Sequence, residues 1–143
     1  MQIPSRIWDK YQKIAIHRNP FDVIISKYYW RQRRVKHENR LSFNDWFLKR
    51  PEMATDNLKI APIDGKAAID TVIRYEFLEE DITSLNIEGL WETFAHINAK
   101  SNIRPQTSHN IYEFYKKREK IVNQIAELCR DEIVFFKYEI PTP

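Results

Sequence analysis

Glycine is nearly absent from this chain: Gly65 and Gly89 are the only two in 143 residues. That scarcity removes one way of holding a nucleotide. A backbone cradle for phosphates needs several glycines at a strand-to-helix turn, where amides must approach the ligand closely and a Cβ would obstruct them. The single Gly-Lys pair, in "IDGKAAID" (63–70), is followed by Ala67 where such a loop places Ser or Thr. Pro62 precedes it, and no upstream glycine is present. No self-contained mononucleotide loop is encoded here.

With 43% apolar and 30% charged residues, the chain has ordinary globular composition and is long enough for one hydrophobic core. One domain over residues 1–143 is expected. A net charge of +3 is too mild to imply nucleic-acid binding by itself. Cys129 is the only cysteine, which excludes an intramolecular disulfide and a Cys-based zinc site. The start, "MQIPSRIWDK", lacks a signal-peptide apolar core, and no run approaches the roughly 20 residues of a membrane span. As it stands the chain reads as soluble and cytoplasmic.

Short apolar runs predict two strands. "YQKIAIH" (11–17) is expected to be buried on both faces of a parallel sheet, and "AIDTVIRYE" (68–76) is rich in β-branched residues. Asn19-Pro20 starts a helix, with Asn as cap, Pro at the first helical position and Asp22 in the first turn. The helix is expected to reach about Lys36. Phe21, Ile24, Ile25 and Tyr28 form its apolar stripe, while Asp22, Ser26, Tyr29 and Arg33 share another face. Ser42 caps a second helix over 42–50, and Pro51, Pro62 and Gly65 mark 51–68 as loop. Residues 77–90 read as a helix ended by Gly89, and "AHINAKSNIRPQTS" (95–108) as polar loop. A long helical pattern follows from Ser108 through Cys129, after which Asp131 caps "EIVFFKY". No repeat or domain-separating linker is present.

The chemistry concentrates in "HRNPFDVIISKYYW" (17–30). From Asn19 to Ser26 the helix climbs about 10 Å. Arg18, laid along the helix, can meet the Ser26 hydroxyl at one lateral anion, and a guanidinium plus a hydroxyl suits a phosphate. The same spacing also allows Arg18 to pair with Asp22 while Ser26 merely fits a crowded helix contact. His17 adjoins the motif but, at a strand end, reads as a packed histidine. His37, His96 and His109 are far apart in polar segments and define no metal site. The basic stretch 27–40 (Lys27, Arg31, Arg33, Arg34, Lys36, Arg40) is either a solvated helix face or an attractor for an anionic partner, with Tyr28, Tyr29 and Trp30 available to stack.

"KIAIHRNPFDVIISKYYW" resembles the 3′-phosphate-binding segment of sulfotransferases that use 3′-phosphoadenosine 5′-phosphosulfate, and is most similar to the carbohydrate-type branch. "AIDTVIRYEFLEEDITSL" is similar to that family's later strand and Arg-x-Glu-x-Leu segment. "SHNIYEFYKKREKIVNQIAELCRDEIVFFKY" resembles its Tyr-rich terminal helix, Asp and closing aromatic-Tyr. The order matches, and the three segments span most of the chain.

The resemblance implies an α/β sulfotransferase-type domain related to P-loop nucleotide-binding folds, helix-rich with a small parallel sheet. It assigns Arg18 and Ser26 to the 3′-phosphate of the co-substrate or of its product, adenosine 3′,5′-bisphosphate. Arg74 is carried over as a further nucleotide ligand, or as the structural partner of Glu76 or another acid. The family's amino-terminal 5′-phosphosulfate loop has no counterpart here, so the chain is expected to be the carboxy-terminal portion of the domain. The implied activity is sulfate transfer to a hydroxyl of a carbohydrate-like acceptor, an anionic glycan suiting the basic stretch, with no metal, no nucleic acid and no catalytic residue assigned. The alternative is a non-catalytic relic that keeps only a phosphate or nucleotide grip. An incomplete sheet leaves an edge and apolar surface uncovered, so self-association or a partner chain is expected.

Overall fold

The computed structural model describes residues 4–57, 69–97 and 102–142. A helical turn, α1 (Ser5–Trp8), precedes β1 (Ile14–His17), which leads into α2 (Pro20–Gln32) and α3 (Phe43–Lys49). β2 (Thr71–Arg74) is followed by α4 (Leu78–Thr83), α5 (Leu90–Ala95), α6 (Ile111–Tyr115), α7 (Glu119–Leu128) and α8 (Arg130–Phe136). The fold is helix-rich with a small parallel sheet, an α/β arrangement.

β1 and β2 pair in parallel with Ile14 opposite Thr71 and His17 opposite Arg74. Asp70 pins that register by accepting the Lys13 backbone N–H at 2.7 Å, and it lies 3.0 Å from the Lys13 ammonium. Parallel neighbours need a long crossover, which the intervening helices supply. Burial on both faces does not hold for β1. Ala15 and His17 are buried, whereas Ile14 and Ile16 are 38% and 47% exposed. The packed core lies on one side of the sheet, so alternate residues of the strand face outward. Among the described residues the sheet has two strands only, and each has an outer edge without a strand partner.

α2 begins as its residues dictate. The Asn19 side chain accepts the Phe21 N–H at 3.0 Å, and Pro20 occupies the first helical position. The helix stops at Gln32, short of Lys36, because Val35 is the only apolar residue after Gln32 that it could bury. Phe21, Ile24 and Ile25 pack with Phe43, Trp46 and Phe47 of α3, Tyr115 of α6, and Ile121, Val122 and Ile125 of α7. Phe43 stands edge-on to Phe114, Tyr28 and Tyr115, with centroids 4.8, 5.4 and 5.9 Å away. Such edge-to-face pairs add to the stabilisation that area burial provides.

Three further boundaries differ from the sequence expectations. Gly89 does not end α4. It sits at φ +70° and introduces α5, while Asn86 takes the left-handed position in the turn after α4 (φ +53°). The long helix predicted after Ser108 breaks between Tyr115 and Glu119, because its apolar stripe would place Arg118 and Glu119 in the core. Asp131 lies inside the first turn of α8, and Cys129 is the residue at its cap position. The segment expected to be loop carries a 3₁₀ turn at Pro51–Thr55, and Gly65 lies outside the described residues. No helix among the described residues is long and apolar enough to cross a membrane.

Candidate functional site

The strand-to-helix corner places Arg18 one turn before Asp22 and two turns before Ser26. Arg18 Nε and Nη2 both engage Asp22 Oδ2, and the guanidinium lies over the Tyr75 ring at 4.1 Å. The other Asp22 oxygen, Oδ1, accepts from Arg104 Nη1. Arg104 is held from behind: Nε donates to Ser108 Oγ at 3.1 Å, and Nη2 donates to the Ser108 carbonyl. Ser108 is itself buried and donates to the Pro105 carbonyl at 2.7 Å. One carboxylate thus bridges two guanidiniums.

Ser26 lines a cavity of about 230 Å³ together with Lys27, Trp30, Ile103 and Arg104. A guanidinium carries five N–H donors. Three of those on Arg104 are used by Asp22 and Ser108, and two remain among the described residues. Lys27 spends two of its three on the Met53 carbonyl (2.7 Å) and Asp56 Oδ2 (2.8 Å), which also ties α2 to the 51–55 turn. The Ser26 hydroxyl has no hydrogen-bond partner among the described residues. Hydroxyl, ammonium and guanidinium therefore converge with unused donors beside an indole. A tetrahedral oxyanion attached to a flat or sugar-like group matches that set.

Of the two residues expected to share one anion, Ser26 faces this cavity while Arg18 does not line it; Arg18 connects to it through Asp22 and Arg104. Arg104 is the residue that sequence reasoning missed. Its only local signal is Arg-Pro followed by Ser108 in a polar loop, and its meeting with Asp22, 82 positions away, is a tertiary event. Arg74 clamps Asp81, with Nε to Oδ2 at 3.0 Å and Nη2 to Oδ1 at 2.6 Å. Hydrogen bonds from the Arg74 guanidinium hold the Asp81 carboxyl below its ordinary range. Glu76, the other acid considered for Arg74, instead accepts the Asn19 N–H at 2.7 Å.

His17 is 1% exposed, stacks on Phe136 and is not in the cavity lining. Among the described residues no three His, Cys, Asp or Glu side chains converge as a metal site would require. The exposed basic residues continue past Trp30, whose ring carries Arg33 at 3.2 Å. A second cavity of about 320 Å³, lined by Tyr29, Gln32, Arg33, Arg40, Asn102 and Ile103, adjoins the first across Ile103.

Comparison with known protein families, with curated proteins and with solved structures finds no match to this chain.

Proposed function

We propose that the cavity between α2 and residues 102–108 grips the phosphate of a nucleotide, in the manner of a sulfotransferase-type 3′-phosphate site. The observation that carries this reading is the convergence of Ser26, Lys27 and Arg104, each with unused donors, beside Trp30. The ligand, by the resemblance of residues 13–30, is 3′-phosphoadenosine 5′-phosphosulfate or adenosine 3′,5′-bisphosphate. Arg18 acts by orienting Asp22, which in turn positions Arg104. The adjoining cavity with Arg33 and Arg40 suits an anionic carbohydrate acceptor.

Calorimetry with adenosine 3′,5′-bisphosphate tests this directly. Arg104→Ala loses two charge-assisted donors and is expected to weaken binding about 10- to 100-fold. Arg18→Ala should weaken it less, since its guanidinium acts through Asp22. No binding to the wild type would remove the nucleotide from the account.

A second reading, binding without turnover, is favoured by the cavity's lining. Sulfuryl transfer needs a base for the acceptor proton, and among the described lining residues there is no carboxylate or imidazole. Release of labelled sulfate from the co-substrate onto an acidic saccharide, by this chain alone, would contradict that second reading.

A further inference from the structure

Behind the strand-to-helix corner, a line of polar contacts runs out of the core. His17 closes β1, and its Nδ1 lies 3.1 Å from the Tyr138 hydroxyl. Its Nε2 faces Oε2 of the fully buried Glu132 at 3.4 Å. Among the described residues neither this Nε2 nor either Glu132 oxygen has a well-aligned hydrogen-bond partner. On the outer side the Tyr138 hydroxyl lies 3.2 Å from Glu76 Oε2, while Glu76 Oε1 accepts the Asn19 N–H. Asn19 caps α2 and directly follows Arg18. The contacts therefore join a buried acid–base pair to the residue from which the cavity's helix starts.

We propose that His17 and Glu132 share one dissociable proton in the core, and that its presence is relayed through Tyr138 and Glu76 to the cap of α2, so that the nucleotide is held more tightly below the pair's titration than above it. For its consequence, though not for the relay, this rests on the cavity being a nucleotide site.

The hydrogen-bond directions follow from donor and acceptor counting. With the proton present there are two microstates, imidazolium beside carboxylate or a neutral ring accepting from the Glu132 acid. In both, Nδ1 bears a hydrogen and donates to the Tyr138 oxygen. The Tyr138 proton then turns outward to Glu76. With the proton lost, the Glu132 carboxylate keeps the single ring hydrogen on Nε2. Nδ1 becomes an acceptor, Tyr138 turns its proton inward, and Glu76 Oε2 loses its donor. Glu76 is exposed, so its grip on the Asn19 N–H then has one anchor fewer. The midpoint belongs to the pair and not to either residue.

The groups around the pair leave this count intact. Burial first, and the charge of Glu76 second, keep Tyr138 protonated through the neutral range. Burial and the neighbouring Glu132 do the same for the Cys129 thiol, which Lys27 opposes weakly. Across the sheet, the Arg74 guanidinium is occupied by Asp81, with Glu80 at 3.6 Å. From α8 the pair faces Phe136, which is apolar.

The test is a pH titration of the wild-type chain by NMR, following the His17 ring and the Asn19 amide together. The Asn19 amide is expected to shift with the His17 midpoint. In Tyr138→Phe the ring should still titrate while Asn19 stays flat. An Asn19 amide that is static in the wild type, or that tracks His17 equally in Tyr138→Phe, overturns the relay; the wild-type result decides alone if the variant does not fold.

Affinity for adenosine 3′,5′-bisphosphate below and above the midpoint then tests the consequence. The ligand's own phosphate titration cancels between wild type and variant. One hydrogen bond's worth of coupling predicts that the low-to-high pH affinity ratio is about fivefold larger in the wild type. Equal ratios overturn the regulation and leave the cavity reading standing. Absence of binding at every pH overturns both the cavity reading and the regulation, while the Asn19 titration still judges the relay.

Discussion

Two arginine–aspartate contacts stand at the ends of the two strands, one residue apart in register, and they close in opposite ways. Arg74, last in β2, reaches Asp81 of α4 with two N–H groups, and its own backbone N–H reaches the same carboxylate at 2.7 Å. Glu80 adds a further negative charge at 3.6 Å. That end carries its own carboxylates, and the clamp ties α4 to the sheet. Arg18, just past β1, also meets an aspartate of the following helix, but Asp22 is divided between Arg18 and Arg104. Two cations share that one carboxylate, and Ser26 and Lys27 line the same cavity as Arg104. The same local arrangement is a fastening at one strand end and, in the proposed reading, an anion receptor at the other. The deciding partner comes from a distant loop.

The contrast is broken most forcefully at Asp22. Asp22→Asn leaves two partly buried guanidiniums without their carboxylate, and should cost about 2–3 kcal/mol of stability in urea denaturation. The same substitution releases Arg104 from the carboxylate that positions it, so affinity for a phosphate ligand should fall as well. A rise in affinity would show that the Asp22 charge opposes the ligand more than the carboxylate positions Arg104.

Asp81 offers the matching test at the β2 end. Its folded pKa lies below the unfolded value, so its contribution is fully present above the ordinary aspartate range near pH 4. That contribution is lost as the pH falls from there through the depressed folded value. In Asp81→Asn the acid limb of the stability curve should flatten by about 1 kcal/mol, with phosphate affinity unchanged. An affinity change comparable to that of Asp22→Asn would erase the distinction between the two ends.

The smallest effect is expected away from both contacts. Lys137 ends α8 at φ +56°, a left-handed position that glycine adopts without a steric penalty. Lys137→Gly should raise the unfolding midpoint by an amount equivalent to about 0.5–1 kcal/mol and leave ligand affinity unaltered. It provides a control for any claim that stability and binding move together.

What could be read from the residues divides along the same line. The β1 strand, the Asn19-Pro20 helix start, the Ser42 cap and the alternative pairing of Arg18 with Asp22 were legible, because each depends on groups within four or five positions. The burial of β1 was only half legible, since which face of a short strand is covered depends on how many strands accompany it. Asn86 and Gly89 both tolerate positive φ, and local sequence does not say which one ends a helix and which begins the next. The break after Tyr115 was visible in principle, because charged Arg118 and Glu119 fall on the apolar stripe. Arg104 was not. Nothing in its loop points to Asp22, and only the packing of residues 102–108 along α2 brings the second guanidinium to the carboxylate.

The central claim is that the β1 end receives an anion and the β2 end does not. Calorimetry of adenosine 3′,5′-bisphosphate binding to Arg104→Ala and Arg74→Ala, side by side with wild type, tests it most directly. The account predicts a loss of about 10- to 100-fold for Arg104→Ala and wild-type affinity for Arg74→Ala. Equal losses in the two variants, or wild-type affinity in Arg104→Ala, would contradict it.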